Sequence, residues 1–342
     1  MTMSVDLRLQ QLWYGGSCWA VLLMPLSWLF GLLVALRRAC FEVGVFRIHR
    51  LDKPVVVIGN LTVGGTGKTP LVIWLTHVLQ TQGTTVAVIT RGYGGEARSW
   101  PQRVTAESDP KLVGDESVLI AQHTGAIVVA GSDRVASGRL AIAAGAELII
   151  SDDGLQHYRL HRDAEVLVVD SSRGFGNGYL LPAGPLREPL SRLQQVDLVM
   201  INQRGGAQLP DLKIPTIAYQ VKLGSLRAIH SGVVRSIDEI CGQQVHVVTA
   251  IGHPHSFIAA LEQCGLRVDS RIYPDHALLR KQDIEFGDDL PVLMTEKDAV
   301  KCQHIADLRH WAVTITVHFN DSDRSQLLMC VQQAVEKFAA TH

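Results

Sequence analysis

A glycine-rich loop separates an apolar run from a helical pattern in VVVIGNLTVGGTGKTPLVIWL, residues 55–75. The apolar run is typical of a strand that is buried on both faces of a parallel sheet. The loop glycines let backbone N–H groups turn toward phosphate oxygens, the lysine reaches the β- and γ-phosphates, and the threonine hydroxyl suits Mg²⁺. The segment therefore predicts a P-loop for ATP and Mg²⁺, made of Gly64, Gly65, Thr66, Gly67, Lys68 and Thr69.

The loop departs at one position from the strict pattern G-x-x-x-x-G-K-[ST], because Thr62 stands where the pattern has glycine. The strand, loop and helix around it still agree with a phosphate loop. Pro70 is tolerated in the first helical turn, where its missing N–H has no partner to lose. The alternative is a glycine-rich turn whose lysine has no role in phosphate binding.

Strand and helix patterns alternate along the rest of the chain, which predicts an α/β fold with a mostly parallel sheet. We divide the chain into a hydrophobic membrane-associating helix at 1–40, a P-loop kinase-type domain at 41–225 and a smaller α/β domain at 226–342. The last boundary is set near residues 220–230, where a second series of strands and helices begins. Just before it, the segment IPTIAYQV is expected to be an edge strand.

The N-terminal segment carries no charged residue between Arg8 and Arg37. Its apolar run is long enough to cross a bilayer, since about 20 apolar residues suffice. Interruptions at Gly15, Gly16, Ser17 and Pro25 instead favour a helix lying in the membrane interface, where Trp and Tyr are enriched. A buried core helix is the remaining alternative. A signal peptide is a poor interpretation, because no basic region precedes a short apolar core with an A-x-A-like cleavage site. The basic residues that follow favour a cytoplasmic location for the rest of the chain: Arg37, Arg38, Arg47, Arg50 and Lys53.

The composition excludes several classes of protein. Hydrophobic residues make up 47% and charged residues 19% of the 342 residues, so the chain can bury a core. A formal net charge of -1 gives no general attraction to nucleic acid, and we expect no nucleic-acid partner. Six scattered cysteines without a C-x-x-C pair favour free thiols in a reducing compartment over disulfides or a zinc site.

Two acidic pairs are placed for phosphate chemistry. Asp152 and Asp153 end the predicted strand AELIISDDG, where a carboxylate beside a P-loop is a typical Mg²⁺ ligand. One of the two is alternatively a helix cap or part of an Asx turn. Asp115 and Glu116 precede a helical stretch, so they are either ordinary helix-start residues or carboxylates of a phosphoryl-transfer site.

The histidine and arginine candidates are less specific. His276 follows Asp275 in a loop, and it either tunes a base or lies at the surface. His157 and His161 are spaced to bind a metal on a helix, but no third ligand is evident, so a structural or substrate-side role is favoured. Arg187, in the polar loop at 171–192, is a candidate for a bidentate contact with an anionic group.

Taken together, eight stretches resemble the tetraacyldisaccharide 4'-kinase family, the lipid A 4'-kinases of Gram-negative bacteria. They occur in family order, and GNLTVGGTGKTP and DDGLQH are the most specific. The resemblance covers most of the chain, from about residue 10 to about residue 300. Thr62 follows the family's own loop, whereas Leu155 and Ser117 stand where an aromatic residue and a proline are more frequent. The stretches are VIGNLTVGGTGKTP, TRGYGG, VGDES, SDDGLQHYRL, NGYLLPAGPLREP, AIGHPHSF, YPDH and MTEKDAVK.

The resemblance implies a kinase that transfers the γ-phosphate of ATP, with Mg²⁺, to the 4'-hydroxyl of tetraacyldisaccharide 1-phosphate. The product is the bis-phosphorylated lipid A precursor, and the enzyme works at the cytoplasmic face of the bacterial inner membrane. We also expect it to be a monomer. The resemblance implies catalytic roles for Asp115, His276 and Lys68, metal-binding roles for Thr69, Glu116, Asp152 and Asp153, and substrate-binding roles for Arg187, Asn177 and His157.

Two other functions remain open at this point. Partition-type and metal-insertion ATPases also have a GG-x-GKT loop, but a lysine usually precedes their glycine pair, where this chain has Val63. Such a protein would turn over ATP without a lipid acceptor. A membrane-anchored nucleotide-binding scaffold would bind ATP and show no effect of Asp115→Ala beyond stability. The three functions differ in their dependence on an acceptor.

Overall fold

The computed structural model describes residues 11–15, 18–204 and 212–341. Arg8, Gly16 and Ser17 lie outside these ranges. All six cysteines are free thiols. The strands are β1 (Val55–Gly59), β2 (Val86–Thr90), β3 (Gln102–Val104), β4 (Ile127–Ala130), β5 (Leu148–Asp152), β6 (Ala164–Asp170), β7 (Leu198–Asn202), β8 (Thr216–Ala228), β9 (Val234–Arg235), β10 (Gln244–Thr249), β11 (Arg267–Ile272), β12 (Val292–Thr295) and β13 (His310–His318). The helices are α1 (Met24–Glu42), α2 (Lys68–Thr81), α3 (Pro110–Val113), α4 (Asp115–Thr124), α5 (Arg134–Ala143), α6 (Pro254–Gln263), α7 (Lys281–Ile284), α8 (Glu296–Cys302) and α9 (Asp321–Ala339), with 3₁₀ helices at Cys18–Leu23, Leu190–Gln195 and Ile237–Ile240.

Within these ranges the strands form one 13-stranded sheet, in the order β11-β10-β12-β13-β8-β7-β6-β1-β5-β2-β4-β3, with β9 paired to β8. β1 lies inside a parallel group, between β5 and β6. Every residue of β1, β2, β5 and β6 is buried, as expected for strands covered on both faces. The α/β prediction is confirmed, and the loop after β1 lies at an interior position of the sheet.

The long strand β8 joins two parts of the molecule. Its residues 216–219 pair in parallel with β7, and its residues 220–228 pair antiparallel with β13. The first residues of β8 therefore form the edge of the parallel group, as expected for IPTIAYQV. The rest of β8 belongs to the second group of strands. We call residues 55–219 the P-loop half and residues 220–318 the C-terminal half. The boundary expected near 220–230 falls within this one continuous strand.

The last helix, α9, returns to the P-loop half. Its residues Leu327, Val331 and Ala334 share a buried cluster with Val56 of β1 and Leu71 of α2. Their spacing puts them on one face of the helix, as in an amphipathic helix that covers a sheet. The sequence pattern assigns α9 to the range 226–342 because it is contiguous with the second series of elements. Its packing partner is nevertheless the first sheet.

Helix α1 exposes most of its apolar surface. Cys18–Glu42 forms a run of 25 residues that is long and apolar enough to cross a membrane by length and composition. Its protein contacts lie on a narrow face, where the Ser27 hydroxyl donates to the Leu180 carbonyl at 2.7 Å and accepts from the Ala183 N–H at 2.9 Å. A buried core helix is therefore excluded for this segment. The side chains that are more than half exposed include Trp19, Leu22, Leu26, Trp28, Leu29, Leu32, Leu33 and Leu36.

Candidate active site

The glycine-rich loop begins where β1 ends and closes at Lys68, the first residue of α2. Gly64 and Gly67 have positive φ angles of 103° and 89°, a region that glycine enters without steric cost. Gly67 is the N-cap of α2, and Thr69 follows in the first helical turn. The free N–H groups of this turn attract anions such as phosphate. The local geometry agrees with the predicted phosphate loop.

Asn60, directly after β1, holds the loop from within. Its Nδ2 donates to the carbonyl of Thr62 at 2.8 Å and to that of Gly64 at 3.3 Å. Its Oδ1 accepts from Nζ of Lys68 at 2.9 Å. The same amide therefore shapes the loop and orients the lysine that is predicted to reach the phosphates.

Two side chains from neighbouring strands hold the far end of the loop. Asn202, the last residue of β7, donates to the Thr66 carbonyl at 3.1 Å. The Tyr219 hydroxyl, from β8, donates to the Gly67 carbonyl at 3.1 Å. Neither residue was predicted from the sequence. The signal for Asn202 is its place at the carboxyl end of a parallel strand, where ligand-binding groups gather; Tyr219 has no comparable signal.

Gly67→Ala is expected to weaken ATP binding by about tenfold or more, which corresponds to about 1.4 kcal/mol. An added Cβ would lie 2.4 Å from Nδ2 of Asn202, so the loop must shift. The positive φ adds about 1–2 kcal/mol of strain. Isothermal titration with ATP measures the effect. Gly83→Ala is the matched control, because Gly83 has a φ of 87° and no atom within 4 Å of the added Cβ. Equal affinities for ATP in the two variants would contradict the prediction.

Asp153 pairs with two cations beside the loop. Its carboxylate lies 3.3 Å from Nζ of Lys68 and 2.9 Å from Nη1 of Arg187. Burial alone would raise the pKa of Asp153, but the charges of Lys68 and Arg187 lower it far below its ordinary value. Arg187 is predicted to bind an anionic acceptor group, and in the structure its guanidinium already binds this aspartate.

Asp152 is in a different environment from its neighbour. Its side chain is buried, and its Oδ1 has no hydrogen-bond partner. Burial, and next the negative charge of Glu116, raise the pKa of Asp152 to about 7. The element after β5 is β6, so neither aspartate caps a helix. A buried carboxylate oxygen without a donor is costly, and a cation would stabilise it.

Arg134, the first residue of α5, supports the end of β5. Its Nη2 donates to the backbone carbonyl of Asp152 at 2.7 Å. The side chain is buried, and burial lowers its pKa to about 10, so the guanidinium remains charged. This contact fixes the backbone from which both aspartates extend.

Asp115, the first residue of α4, contacts His276 of the C-terminal half. Oδ2 of Asp115 lies 3.1 Å from Nδ1 of His276. Burial alone would raise the pKa of Asp115, but the hydrogen bond from His276 and the charge of Lys297 lower it. The pKa of His276 is raised, because the bond to Asp115 outweighs the opposing effect of burial. Asp115 is therefore an ionised, oriented carboxylate that can accept a proton.

Lys297 of α8 lies on the other side of His276. Its Nζ is 3.2 Å from Nε2 of His276 and 3.2 Å from Oε1 of Glu116. Burial alone would lower the pKa of Lys297, but Glu116 and Asp115 raise it above its ordinary value, so it stays an ammonium. The sequence shows Lys297 within MTEKDAVK but indicates no role for it, since Glu116 is 181 residues away along the chain.

His157 and Asn177 lie in loops of the P-loop half. Burial, and next the charge of Arg134, lower the pKa of His157 to about 4, so its imidazole is neutral. The segment with His157 and His161 is a turn, which removes the helical spacing that would pair them on a metal. Asn177 donates to the Ala183 carbonyl at 2.8 Å. Among the residues that the structure describes, no three His, Cys, Asp or Glu side chains form a metal-binding group.

Helix α1 is connected to the P-loop through Gln156. Arg37 of α1 donates to the backbone carbonyl of Gln156 at 3.2 Å. The Gln156 amide donates to the carbonyl of Asn60 at 3.3 Å and to the buried Glu188 at 3.0 Å. The exposed apolar helix is thus joined by hydrogen bonds to the residue that orients Lys68.

Comparison with known proteins points to one family. The family model described as tetraacyldisaccharide-1-P 4'-kinase, LpxK, matches residues 19–333. Tetraacyldisaccharide 4'-kinases of Nitrosococcus oceani and Alkalilimnicola ehrlichii are 46% and 47% identical, over 95% and 89% of this chain and 94% and 90% of theirs. The crystal structure of LpxK from Aquifex aeolicus in complex with ATP is 27% identical, with a TM-score of 0.80, and covers 92% of this chain and 99% of that one. The resemblance seen in the sequence is confirmed.

Proposed function

Because the chain belongs to the tetraacyldisaccharide 4'-kinase family, we propose that its P-loop and its Asp115–His276 pair together form the catalytic site. The chain is a kinase that transfers the γ-phosphate of ATP to the 4'-hydroxyl of tetraacyldisaccharide 1-phosphate, a lipid A precursor. The observation that carries the assignment is the 3.1 Å contact between Asp115 and His276, which gives a P-loop site an oriented carboxylate base.

In the proposed mechanism, Asp115 accepts the proton of the 4'-hydroxyl as that oxygen attacks the γ-phosphorus. The new O–P bond forms while the bond to the β,γ-bridging oxygen breaks, and ADP leaves. His276 holds the carboxylate in place through its Nδ1. Kinases in general supply positioning and charge stabilisation, with little covalent chemistry of their own.

Lys68 acts on the donor side of the same reaction. The backbone N–H groups of the loop bind the phosphates, and the Lys68 ammonium stabilises the negative charge on the transferred phosphoryl group. Asn60 and Asp153 keep Nζ of Lys68 beside the loop, at 2.9 Å and 3.3 Å. A lysine held in this way loses little entropy when ATP binds.

The oxygen donors near the loop fit Mg²⁺. Asp152 has a buried oxygen without a partner, and Glu116 lies near enough for its charge to raise the Asp152 pKa. Mg²⁺ commonly takes one or two carboxylates together with waters and substrate phosphates, so no larger carboxylate cage is needed. When bound, it neutralises charge on the β- and γ-phosphates. We propose that Thr69, Glu116, Asp152 and Asp153 would hold the ion. Asp152 has a free oxygen to offer, whereas two cations already engage Asp153.

We assign the acceptor to the side of the site formed by the loop at 171–192. Arg187 connects this loop to the P-loop, because it binds Asp153 and its backbone N–H donates to the Leu61 carbonyl at 2.7 Å. Asn177 and His157 are the other residues assigned to the acceptor. The loop also carries the backbone groups that contact α1, so a lipid beside α1 would have its sugar near the site.

Helix α1 is proposed to lie in the plane of the membrane surface. It is tied to the protein near both ends, by Ser27 on Leu180 and by Arg37 on Gln156, and Trp13 donates to the Pro182 carbonyl at 2.9 Å. A spanning helix would draw these polar backbone groups into hydrocarbon, where they are costly. An in-plane helix keeps them at the interface and leaves the apolar face for lipid.

The basic residues in the last turns of α1 and after it support the cytoplasmic face of the inner membrane, where anionic lipid heads attract them. Arg37, Arg38, Arg47 and Arg50 all follow or end the apolar segment. We propose that the enzyme works as a monomer.

Replacing Leu29 and Leu33 by glutamate is expected to release the enzyme from vesicles. Both side chains are more than half exposed on α1, and charges on an interfacial apolar face oppose burial among lipids. Co-sedimentation with phosphatidylglycerol vesicles measures the bound fraction, which should fall about tenfold or more. Leu308→Glu, at a 73% exposed site of the C-terminal half, is the matched control and should bind as wild type does. Unchanged sedimentation of the α1 variant would contradict the proposed membrane contact.

The function itself is tested with detergent-solubilised protein, Mg²⁺ and γ-labelled ATP, with and without tetraacyldisaccharide 1-phosphate. Label is expected on the lipid and not in free phosphate. Equal phosphate release without the lipid would favour the ATPase alternative. ATP binding with neither transfer nor hydrolysis would favour a nucleotide-binding scaffold.

A further inference from the structure

We infer that Lys297 is a positioning residue that holds His276 in the orientation in which its Nδ1–H donates to Asp115. This inference rests on the proposed function, in which Asp115 is the base. Lys297 belongs to the C-terminal half, whereas Asp115 and Glu116 belong to the P-loop half. The orientation of the base therefore depends on a side chain that arrives with the other half of the molecule.

The contact with Lys297 sets the proton arrangement of the His276 imidazole. An ammonium has donors and no acceptor, so His276 Nε2, at 3.2 Å from Nζ of Lys297, must be the acceptor in that contact. With Nε2 as the acceptor, the ring carries its proton on Nδ1. That nitrogen faces Oδ2 of Asp115 at 3.1 Å, and it donates there.

The Asp275 carboxylate competes with Lys297 for Nε2 of His276. Oδ1 of Asp275 lies 3.7 Å from His276 Nε2 and 3.6 Å from Nζ of Lys297. Without the ammonium, Asp275 is the group that faces Nε2, and a carboxylate attracts a proton to that edge of the ring. Lys297 prevents this, because it donates to Nε2 and pairs with Asp275 itself.

Buried hydrogen bonds hold the backbone segments that carry Lys297 and His276. Asp298, next to Lys297 and fully buried, accepts from the Ala250 N–H at 3.1 Å and from the Thr295 hydroxyl at 2.8 Å. The N–H of His276 in turn donates to the Ala250 carbonyl at 3.1 Å. Lys297 and His276 are thus held relative to each other by buried hydrogen bonds around Ala250.

Lys297 connects the two halves of the molecule. Lys297 also binds Glu116, the residue after Asp115, at 3.2 Å. One side chain therefore touches both the residue that orients the base and the helix turn that carries it. This geometry is what a positioning residue requires, and Lys297 need not touch a substrate to affect the rate.

A double-mutant cycle tests the inference. Lys297→Met is made in the wild type and in His276→Gln, and kcat for lipid phosphorylation and KM for ATP are measured. We expect a fall in kcat of about 10–100-fold in the wild type, as for other residues that orient a catalytic group, with KM for ATP little changed. In His276→Gln the same change should cost less than about twofold, because residues that act through one another are not additive.

Glu296→Gln is the matched control, because it removes a charge of the same helix that contacts His123 across the two halves at 2.8 Å and does not touch His276. Its effect should be the same in both backgrounds. Equal losses from Lys297→Met in both backgrounds, or no loss in the wild type, would overturn the inference.

A spectroscopic measurement on the unmutated protein covers the case in which Lys297→Met does not fold. The ¹⁵N shifts of the His276 ring, identified by their loss in His276→Gln, should show a protonated Nδ1 and an unprotonated Nε2. A proton on Nε2 would refute the inference. If the wild type transfers no phosphate to the lipid, the proposed function fails, and that result is distinct from additive behaviour in an active enzyme.

Discussion

Asp115→Asn is expected to lower kcat for phosphorylation of tetraacyldisaccharide 1-phosphate by about 10²–10⁴-fold, the usual contribution of a general base. The amide has nearly the same shape and can still accept the hydrogen bond from His276, but it cannot take the proton of the acceptor hydroxyl. Asp115 lies at the start of α4, outside the glycine-rich loop. We therefore expect ATP affinity to change little.

Transfer of label from γ-labelled ATP to the lipid measures the rate, and titration with ATP measures affinity. Asp269→Asn is the matched control, because its carboxylate is 61% exposed and contacts His246 in the C-terminal half, away from Asp115. The control should retain the wild-type rate. A variant at Asp115 that retains more than about a tenth of the rate would remove this residue from the role of base, given the usual size of that contribution.

Lys68→Met is expected to lower kcat by about 10²–10³-fold, the usual loss when one preorganised donor to the developing charge is removed. The thioether keeps most of the side-chain volume and removes the ammonium. Asp153 then retains Arg187 at 2.9 Å, so the site keeps one of the two cations that stabilise this carboxylate. The fold should survive, and the affinity for ATP should fall as well.

Single-turnover transfer at saturating ATP separates the two effects of Lys68→Met. Lys281→Met is the matched control, because that ammonium is 70% exposed and pairs with Glu285 at the surface. If Lys68→Met loses affinity for ATP yet transfers phosphate at the wild-type rate once saturated, Lys68 binds the donor without stabilising the transition state.

Several features follow from local sequence. The loop after β1 was predictable because glycines, a lysine and a threonine are close together along the chain, and their chemistry depends on that spacing. The buried strands were predictable because apolar runs of this length between turn signals have few other places to go. The apolar N-terminal helix was predictable from the absence of charge between Arg8 and Arg37, whereas its exposure is shown by the structure.

Other features depend on contacts between distant residues. Asp115 and His276 are 161 residues apart, and Asn202 and Thr66 are 136 residues apart. No local pattern encodes such a pair. The carboxyl terminus of β8 enters a second group of strands, and α9 packs back on the first, so the order of elements alone did not reveal which core each joins.

The α/β class, the phosphate loop, the two acidic pairs and the family can be recognised in the sequence, because each depends on residues that are neighbours along the chain. Which groups meet is visible only in the folded structure. There, Asp153 pairs with Lys68 and Arg187, and Lys297 contacts His276. Asp152 keeps a buried oxygen without a partner. Propensity and hydrophobic periodicity act over a few residues, so a local stretch of sequence reveals them. Charge pairing and hydrogen bonding in a site act over a few ångströms, between residues that folding alone brings together.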